Sequence, residues 1–374
     1  MRPDVLSHRA LNRATLERQL LLRHSSISVR DAVTHLLGMQ AQEPLDPYIG
    51  LWSRLEDFDP ESLVHLLVER EVVRIVVMRG TIHLVTADDC LVLRPLVQPV
   101  LDRELTNHSQ YKDAIAATDL GPVLAFLRPL LAERPHSGRE LRAVITERFP
   151  GLDAAAMAYA CRNLLAFVQV PPRGIWGRTA QVRSTTAESF LDRPLAANPS
   201  IDTVVLRYFG TFGPATAGDV SRWSGLTGMR EVVDRLQPRL RRFADERGRE
   251  LFDLPDAPRP DDDVPAPPRF FPEYDNVFLG YADRSRFNRD GTHAARSANQ
   301  TPARGAVTCD GFWCGVWRLD DDRRADRTIL TVDHVGRLTK KATSSVAAEG
   351  RRLLRLVAPH SNTREVRFSP AMQP

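Results

Sequence analysis

Residues 61–86, ESLVHLLVEREVVRIVVMRGTIHLVT, change character halfway along. The first ten read as a helix beginning after Pro60; the remainder reads as two β segments around Arg79-Gly80. Upstream, residues 13–23 (RATLERQLLLR) set Leu16, Leu20 and Leu21 at helical spacing. Residues 29–38 (VRDAVTHLLG) form a second expected helix. Ser28 can cap it, Asp31 lies three residues on in the manner of a capping box, and Gly38 suits its end. Three helices followed by a β-hairpin is the order of a winged helix-turn-helix.

The order recurs. Residues 120–133, 137–148 and 153–166 read as three helices, followed by VQVPPRGIWGRT, a hairpin candidate turning near Arg173-Gly174. A third pass runs from 201 to 254, with SGLT placed where the turn of a helix-turn-helix would put its glycine. Residues 255–272, PDAPRPDDDVPAPPRFFP, carry seven prolines and read as a stiff, extended linker. Beyond it come strand patterns (RGAVTCDGFWCGVWRLD, RTILTVDHVG), a helix (SSVAAEGRRLLRLV) and a final VRF strand. The expected class is α+β, mainly α, with three tandem winged helix-turn-helix units and a small C-terminal α+β region. The boundaries are 1–115, 116–198, 199–256, a linker at 257–272, and 273–374.

Length and composition bound the rest. At ~150 residues per domain, 374 residues imply two or three domains with room for real cores. The net charge of +4 does not by itself argue for nucleic acid. Only three of the 51 basic residues are lysines: Lys112, Lys340 and Lys341. A GC-rich genome accounts for such a bias, but the consequence holds whatever its cause. Chemistry that needs a deprotonated lysine amine has almost no candidates, while guanidinium recognition of phosphates or bases has many. No run of 18 or more apolar residues exists, so no membrane span is expected. The N-terminus, MRPDVLSHRALNRATLERQ, lacks the apolar stretch of a signal peptide. Cys90, Cys161, Cys309 and Cys314 form no CxxC pair and have no histidine close by. Neither a disulfide framework nor a zinc site is expected, and a cytoplasmic location is. Cys309 and Cys314 read as small residues on two paired strands.

No GxGxxG, P-loop, HExxH, GxSxG or EF-hand motif is present, and no cofactor or metal is expected. What remains is Gln40-Ala41-Gln42, just after the second helix. In an extended segment, residues two apart point to the same side, so both carboxamides can reach one water or one base. On a continuing helix they diverge by about 200° and cannot. By spacing alone, two glutamines around an alanine are ordinarily solvated polar residues.

Four stretches together resemble one family. They are Gln40-Ala41-Gln42; Met78-Arg79-Gly80-Thr81-Ile82-His83-Leu84; Phe209-Gly210-Thr211-Phe212-Gly213-Pro214-Ala215-Thr216; and Asp275-Asn276 with Ala282-Asp283-Arg284-Ser285-Arg286. The chain is similar, in this order of motifs, to the winged-helix DNA glycosylases that unhook alkylation crosslinks (AlkZ-like and YcaQ-like). The likeness runs from the first helix to the Asp310-Gly311 strand pair. It implies that Gln40 and Gln42 are the catalytic pair, with Gln42 placing the chain beside the crosslink-resistance branch, where the enteric branch has an aspartate. It also implies a concave surface that holds the duplex without extruding a bulky adduct.

The chemistry expected of such a pair is modest. An N7-alkylated purine is cationic and already a good leaving group, so little general-acid help is needed. A neutral glutamine cannot deprotonate water, but it can orient one beneath the anomeric carbon and steady developing oxocarbenium charge through its amide oxygen. Glu43 and Asp46 are lesser candidates for a carboxylate base. The scarcity of lysine argues against a Schiff base, hence for a monofunctional enzyme that leaves an abasic site. Expected DNA contacts are Arg79, Thr81 and His83 on the first wing, where His83 reads equally as a core histidine with its hydrogen bond satisfied, and Arg173 and Arg178 around a second, with Trp176 between them either stacking or, more commonly for a tryptophan, buried. To these are added Arg284 and Arg286, and His334, Arg337, Lys340 and Lys341 as a basic hairpin. The expected partner is double-stranded DNA carrying alkylated purines, bound by a nucleoid-associated monomer in repair or in self-resistance to an alkylating antibiotic. The competing readings are a non-catalytic winged-helix DNA-binding protein or regulator, and a protein-binding scaffold.

Overall fold

Strong local signals decide the helices. In the computed structural model, which describes residues 4–289 and 305–369, the first unit runs β1 (Asp4–Leu6), α1 (His8–Arg18), α2 (Val29–His35), β2 (Met39–Gln40), α3 (Asp46–Trp52), α4 (Pro60–Val68), β3 (Val72–Val76) and β4 (Ile82–Thr86). Ser28 caps α2 as expected, accepting from Asp31 N–H at 3.1 Å. Helix α3 has no counterpart in the sequence reading, so four helices precede this hairpin.

A connecting set follows: α5 (Ala87–Leu96), α6 (Gln98–Asn107) and α7 (Lys112–Ala116). The second unit is α8 (Gly121–Glu133), β5 (His136–Ser137), α9 (Gly138–Arg148), α10 (Ala154–Leu164), β6 (Phe167–Gln169), β7 (Arg183–Thr186) and α11 (Ala187–Leu191). Its returning strand lies later than the turn at Arg173-Gly174 suggested, so residues 170–182 form a long loop between β6 and β7. The third unit is α12 (Ile201–Phe212), α13 (Ala217–Ser224), α14 (Met229–Leu236), β8 (Arg241–Asp245) and β9 (Glu250–Asp253). Gly225, at φ +80°, lies in the turn between α13 and α14.

The expected units are not separate beads. Strands β2-β4-β3-β6-β7-β5 make one six-stranded sheet, because β3 of the first hairpin pairs with β6 of the second (Arg74 opposite Gln169, Ile75 opposite Val168). Two hairpins that would each expose an edge protect one another. One apolar core likewise joins Val73 and Ile75 of the first unit to Val204, Phe209 and Trp223 of the third and to Phe271 and Tyr281 beyond it.

The proline-rich stretch is a docked strap and no free spacer. Arginines of α1 grip its carbonyls: Arg13 Nε donates to Val264 at 2.6 Å and Arg18 Nε to Pro258 at 3.1 Å. Its end is already strand, β10 (Arg269–Phe270). After α15 (Asn276–Leu279) come β11 (Gly305–Cys309), β12 (Phe312–Asp322), β13 (Arg327–His334), α16 (Lys340–Val357) and β14 (Thr363–Ser369). These strands form a sheet ordered β10-β11-β12-β13-β14, with β14 parallel to β13 through the α16 crossover. Asp310 (φ +53°) and Gly311 (φ +79°) make the tight turn joining β11 to β12, a conformation that favours an Asp-Gly pair. Residues 1–3, 290–304 and 370–374, which fall within the expected first and last domains, lie outside the described residues. No described helix is long and apolar enough to cross a membrane.

Candidate active site

Helix α2 ends in two left-handed residues, Leu37 (φ +55°) and Gly38 (φ +84°). Glycine is required at the second for space as well as conformation. A Cβ there would lie 2.6 Å from Val85 Cγ1 and 2.9 Å from the Leu84 oxygen. That close approach lets β2 run beside β4, with Met39 opposite Leu84 and Gln40 opposite His83. The Ala41 N–H then donates to the Ile82 carbonyl at 2.8 Å. The strand pairing thus holds the backbone extended at Gln40 and reaches the Ala41 N–H, and the chain bends at Gln42. Ala41 is fully buried in the apolar layer, Gln40 is 6% exposed, and Gln42 is exposed.

Arg79 organises the polar side. It sits at the tip between β3 and β4 at φ +57°, a backbone that costs a non-glycine residue about 1 kcal/mol, and Gly80 follows at φ +69°. Its Nη2 donates to Gln40 Oε1 at 2.7 Å and lies 3.3 Å from His83 Nε2 and 3.4 Å from Asn276 Oδ1. Its Nη1 donates to the Trp223 carbonyl at 2.8 Å. The α13–α14 turn closes over the tip, because a Cβ on Gly225 would lie 3.1 Å from Arg79 Cα. Burial, then Arg222 and Arg284, bring the guanidinium down to about 10, so it stays charged at neutral pH. None of its four hydrogen-bonding partners is a carboxylate. Arg74, on β3, is similar. Its Nη2 donates to the Ala41 carbonyl at 2.9 Å and to Gln169 Oε1 at 3.2 Å, and burial, then Arg173, push it down to about 10.

A small cavity adjoins Gln40, lined among others by Gln19, Gly38, Asp46, Arg54 and Asn276. Asp46 is buried there and accepts from the Tyr274 N–H at 3.4 Å. Burial, with Glu273, Glu43 and Asp275 adding repulsion, pushes its carboxyl up to about 8. It is therefore mostly protonated near pH 7 and a poor base there; Glu43 is exposed.

The structure redistributes the other expected contacts. His83 is fully buried, so it presents nothing to a phosphate. Burial first, then Arg79, hold its imidazole down to about 3. The neutral ring donates from Nδ1 to the Thr81 carbonyl at 3.0 Å and offers Nε2 to Arg79. Arg286 is also buried, bonded to Thr15 Oγ1 at 3.0 Å and the Pro214 carbonyl at 3.2 Å, with its guanidinium 3.9 Å over the Tyr281 ring. It holds α1 against the third unit. Thr81 is satisfied locally by the Met78 carbonyl. Arg284 is half-buried, Arg173 is half-buried in the 170–182 loop, and Arg178 is exposed there. Trp176 packs on Tyr48, ring centroids 4.9 Å apart. His334, Arg337, Lys340 and Lys341 do not form a hairpin. They span the link from β13 into the first turn of α16, where Thr339 caps the helix; Arg337 and both lysines are exposed. Arg74, Trp223 and the role of Asn276 were not among the expected site residues. Asp275-Asn276 stood out only as part of the family pattern, and Arg74 is one arginine among many in the sequence.

The fold is thus that of a mixed α+β protein whose helix–hairpin units carry two glutamines at the edge of a sheet, Gln40 on the edge strand and Gln42 in the bend beyond it. A family model described as DNA glycosylase AlkZ-like matches residues 33–356, and the chain belongs to that family. Among solved structures it is similar to Streptomyces sahachiroi DNA glycosylase AlkZ. The TM-score is 0.70 at 20% identity, over 98% of this chain and 100% of that one, a likeness of fold. No curated protein matches it in sequence.

Proposed function

We propose that the chain is a monofunctional DNA glycosylase that hydrolyses the N-glycosidic bond of N7-alkylated or crosslinked purines, acting as a monomer on double-stranded DNA. The observation that carries this reading is the Gln40-Ala41-Gln42 segment at the end of β2, with Gln40 on the strand and anchored by Arg79, and Gln42 exposed in the bend that follows. Neither glutamine can take a proton for keeps. The reaction therefore suits a substrate whose leaving group is already activated: the glycosidic electron pair returns to the cationic purine and cancels its charge. Water supplies the new C1′–O bond, and its extra proton goes to solvent. Positioning of this kind is worth several powers of ten when the geometry is fixed.

A lyase step has little support. Lys112 begins α7 and Lys340-Lys341 begin α16; all three are exposed, and none lines the cavity at Gln40. The test is release of 7-methylguanine and of a crosslink adduct from duplex DNA by wild type, Gln40→Ala and Gln42→Ala. Release by wild type, with a loss of roughly 100-fold in each variant, is expected. Persistence of both substrates with wild type would sink the enzymatic reading, and full activity in both variants would sink the residue assignment. Borohydride trapping of a protein–DNA adduct would refute the monofunctional step.

A further inference from the structure

A guanidinium has five N–H donors and no acceptor. Whatever it touches must therefore present a lone pair, and this removes the usual ambiguity about how an amide is turned. The bond of 2.7 Å obliges Gln40 to aim Oε1 at Arg79. The group left to face away from the arginine is Nε2. The other partners fix the same polarity. Asn276 donates from Nδ2 to the Gly38 carbonyl at 3.1 Å, which leaves Oδ1 toward Arg79. His83 uses Nδ1–H on Thr81, so Nε2 is an acceptor. Trp223 contributes a backbone oxygen from the third unit. Acceptors from β2, β4, α13 and α15 converge on one cation, which is more constraint than a phosphate-seeking surface arginine carries.

We infer that Arg79 is a positioning residue that sets the polarity of Gln40, so that the two glutamines have opposite jobs: Gln40 offers an N–H to the attacking water and Gln42 offers a carbonyl oxygen. This rests on the hydrolytic reading above. A water held by one donor and one acceptor has one lone pair and one hydrogen committed, which leaves a second lone pair for C1′. In the step, that lone pair forms the C1′–O bond and the C1′–N9 pair passes to the purinium ring. The proton leaves along the bond to Gln42 and on to solvent. Gln40 gains and loses no proton. Polarisation by a cation strengthens the N–H it presents.

The test is a double-mutant cycle on single-turnover release of 7-methylguanine. Arg79→Met is expected to slow release ~100-fold, with affinity for a duplex bearing an abasic analogue almost unchanged. Arg79→Lys keeps the charge but cannot fork between Gln40 and Trp223, so it should not rescue, and it repeats the cycle if Arg79→Met fails to fold. In a Gln40→Ala background either change should cost little more, since the two act as one unit. Gln40→Glu, which pairs with Arg79 but lacks the N–H, should be slow, while Gln42→Glu should remain active. Losses that multiply instead, or a fall in DNA affinity with a salt slope reduced by about 1, would show Arg79 to be a phosphate contact and overturn the inference. If wild type releases no base, the hydrolytic reading itself fails. If wild type is active and Gln42→Ala is not, while the Arg79 and Gln40 losses multiply, only the inference fails.

Discussion

Arg18 and Arg54 on one side, and Arg74 and Arg79 on the other, differ in kind in their surroundings, although the first three are buried and Arg79 is half-buried. Arg18 forks onto Asp253 at 2.6 and 2.8 Å, tying α1 to β9. Arg54 forks onto Asp275 at 2.8 Å to each oxygen, tying the end of α3 to the segment before α15. In each pair the charge is closed within the protein. Arg74 and Arg79 hold only carbonyls, amides and an imidazole, and both lie against the Gln40-Ala41-Gln42 segment. A desolvated cation with neutral partners costs stability that a carboxylate would recover. Its placement beside the one candidate catalytic stretch suits a site that receives a polyanion. The paired arginines hold the fold together, and the unpaired ones set the electrostatics of the proposed site.

The comparison can be broken by experiment, most forcefully at the paired arginines. Asp253→Ala or Asp275→Ala orphans a buried guanidinium and should cost about 3–5 kcal/mol in urea unfolding. Arg74→Met leaves no charge behind and forfeits bonds to neutral acceptors only. It should cost less than about 2 kcal/mol, and an equal loss in both would erase the distinction drawn between them.

Two buried acids and bases sharpen it further, with opposite signs. The folded-state pKa of Asp46 is raised to about 8, so the folded protein binds the proton more tightly than the unfolded chain. This contribution to stability is present below about pH 4 and is lost as pH rises toward 8. Asp46→Asn should therefore gain on wild type with increasing pH, by at most about 1.4 kcal/mol per unit. His83 is depressed to about 3, so the unfolded chain takes up the proton first. Stability should fall as pH drops from about 6.5 toward 3, and His83→Gln should flatten that stretch of the denaturation profile. The smallest effects belong to exposed cations. Arg178→Ala or Lys340→Ala should each weaken duplex binding a few-fold and lower the salt slope by about 1 if they meet phosphates. Arg286→Met should change melting and leave that slope alone.

Much of this was legible in the sequence, and the exceptions share a cause. The helices of the second and third units, the Ser28 cap and the Asp310-Gly311 turn depend on neighbours within a few residues. The sequence left open whether Gln40-Ala41-Gln42 continues the helix or runs extended, and the pairing of β2 with β4 decides it at Gln40. Helix α3 was missed because Pro47 and Gly50 interrupt its pattern, and Leu45, ahead of it, makes no side-chain cap. The basic run from His334 to Lys341 suggested a hairpin, whereas α16 already begins at Lys340. Charge content cannot distinguish a loop entering a helix from a turn between strands.

Site chemistry divides in the same way. Order of motifs, scarcity of lysine and the spacing of two glutamines are properties of the chain, and they define the family and the nucleophile proposed here. The partner of each arginine is not. Arg79 meets Trp223 and Asn276 across sequence separations of 144 and 197 residues, while Arg54 finds Asp275 221 residues away. Nothing local distinguishes an arginine that closes onto a carboxylate from one left with neutral acceptors, because that difference arises only when distant segments pack and water is excluded between them.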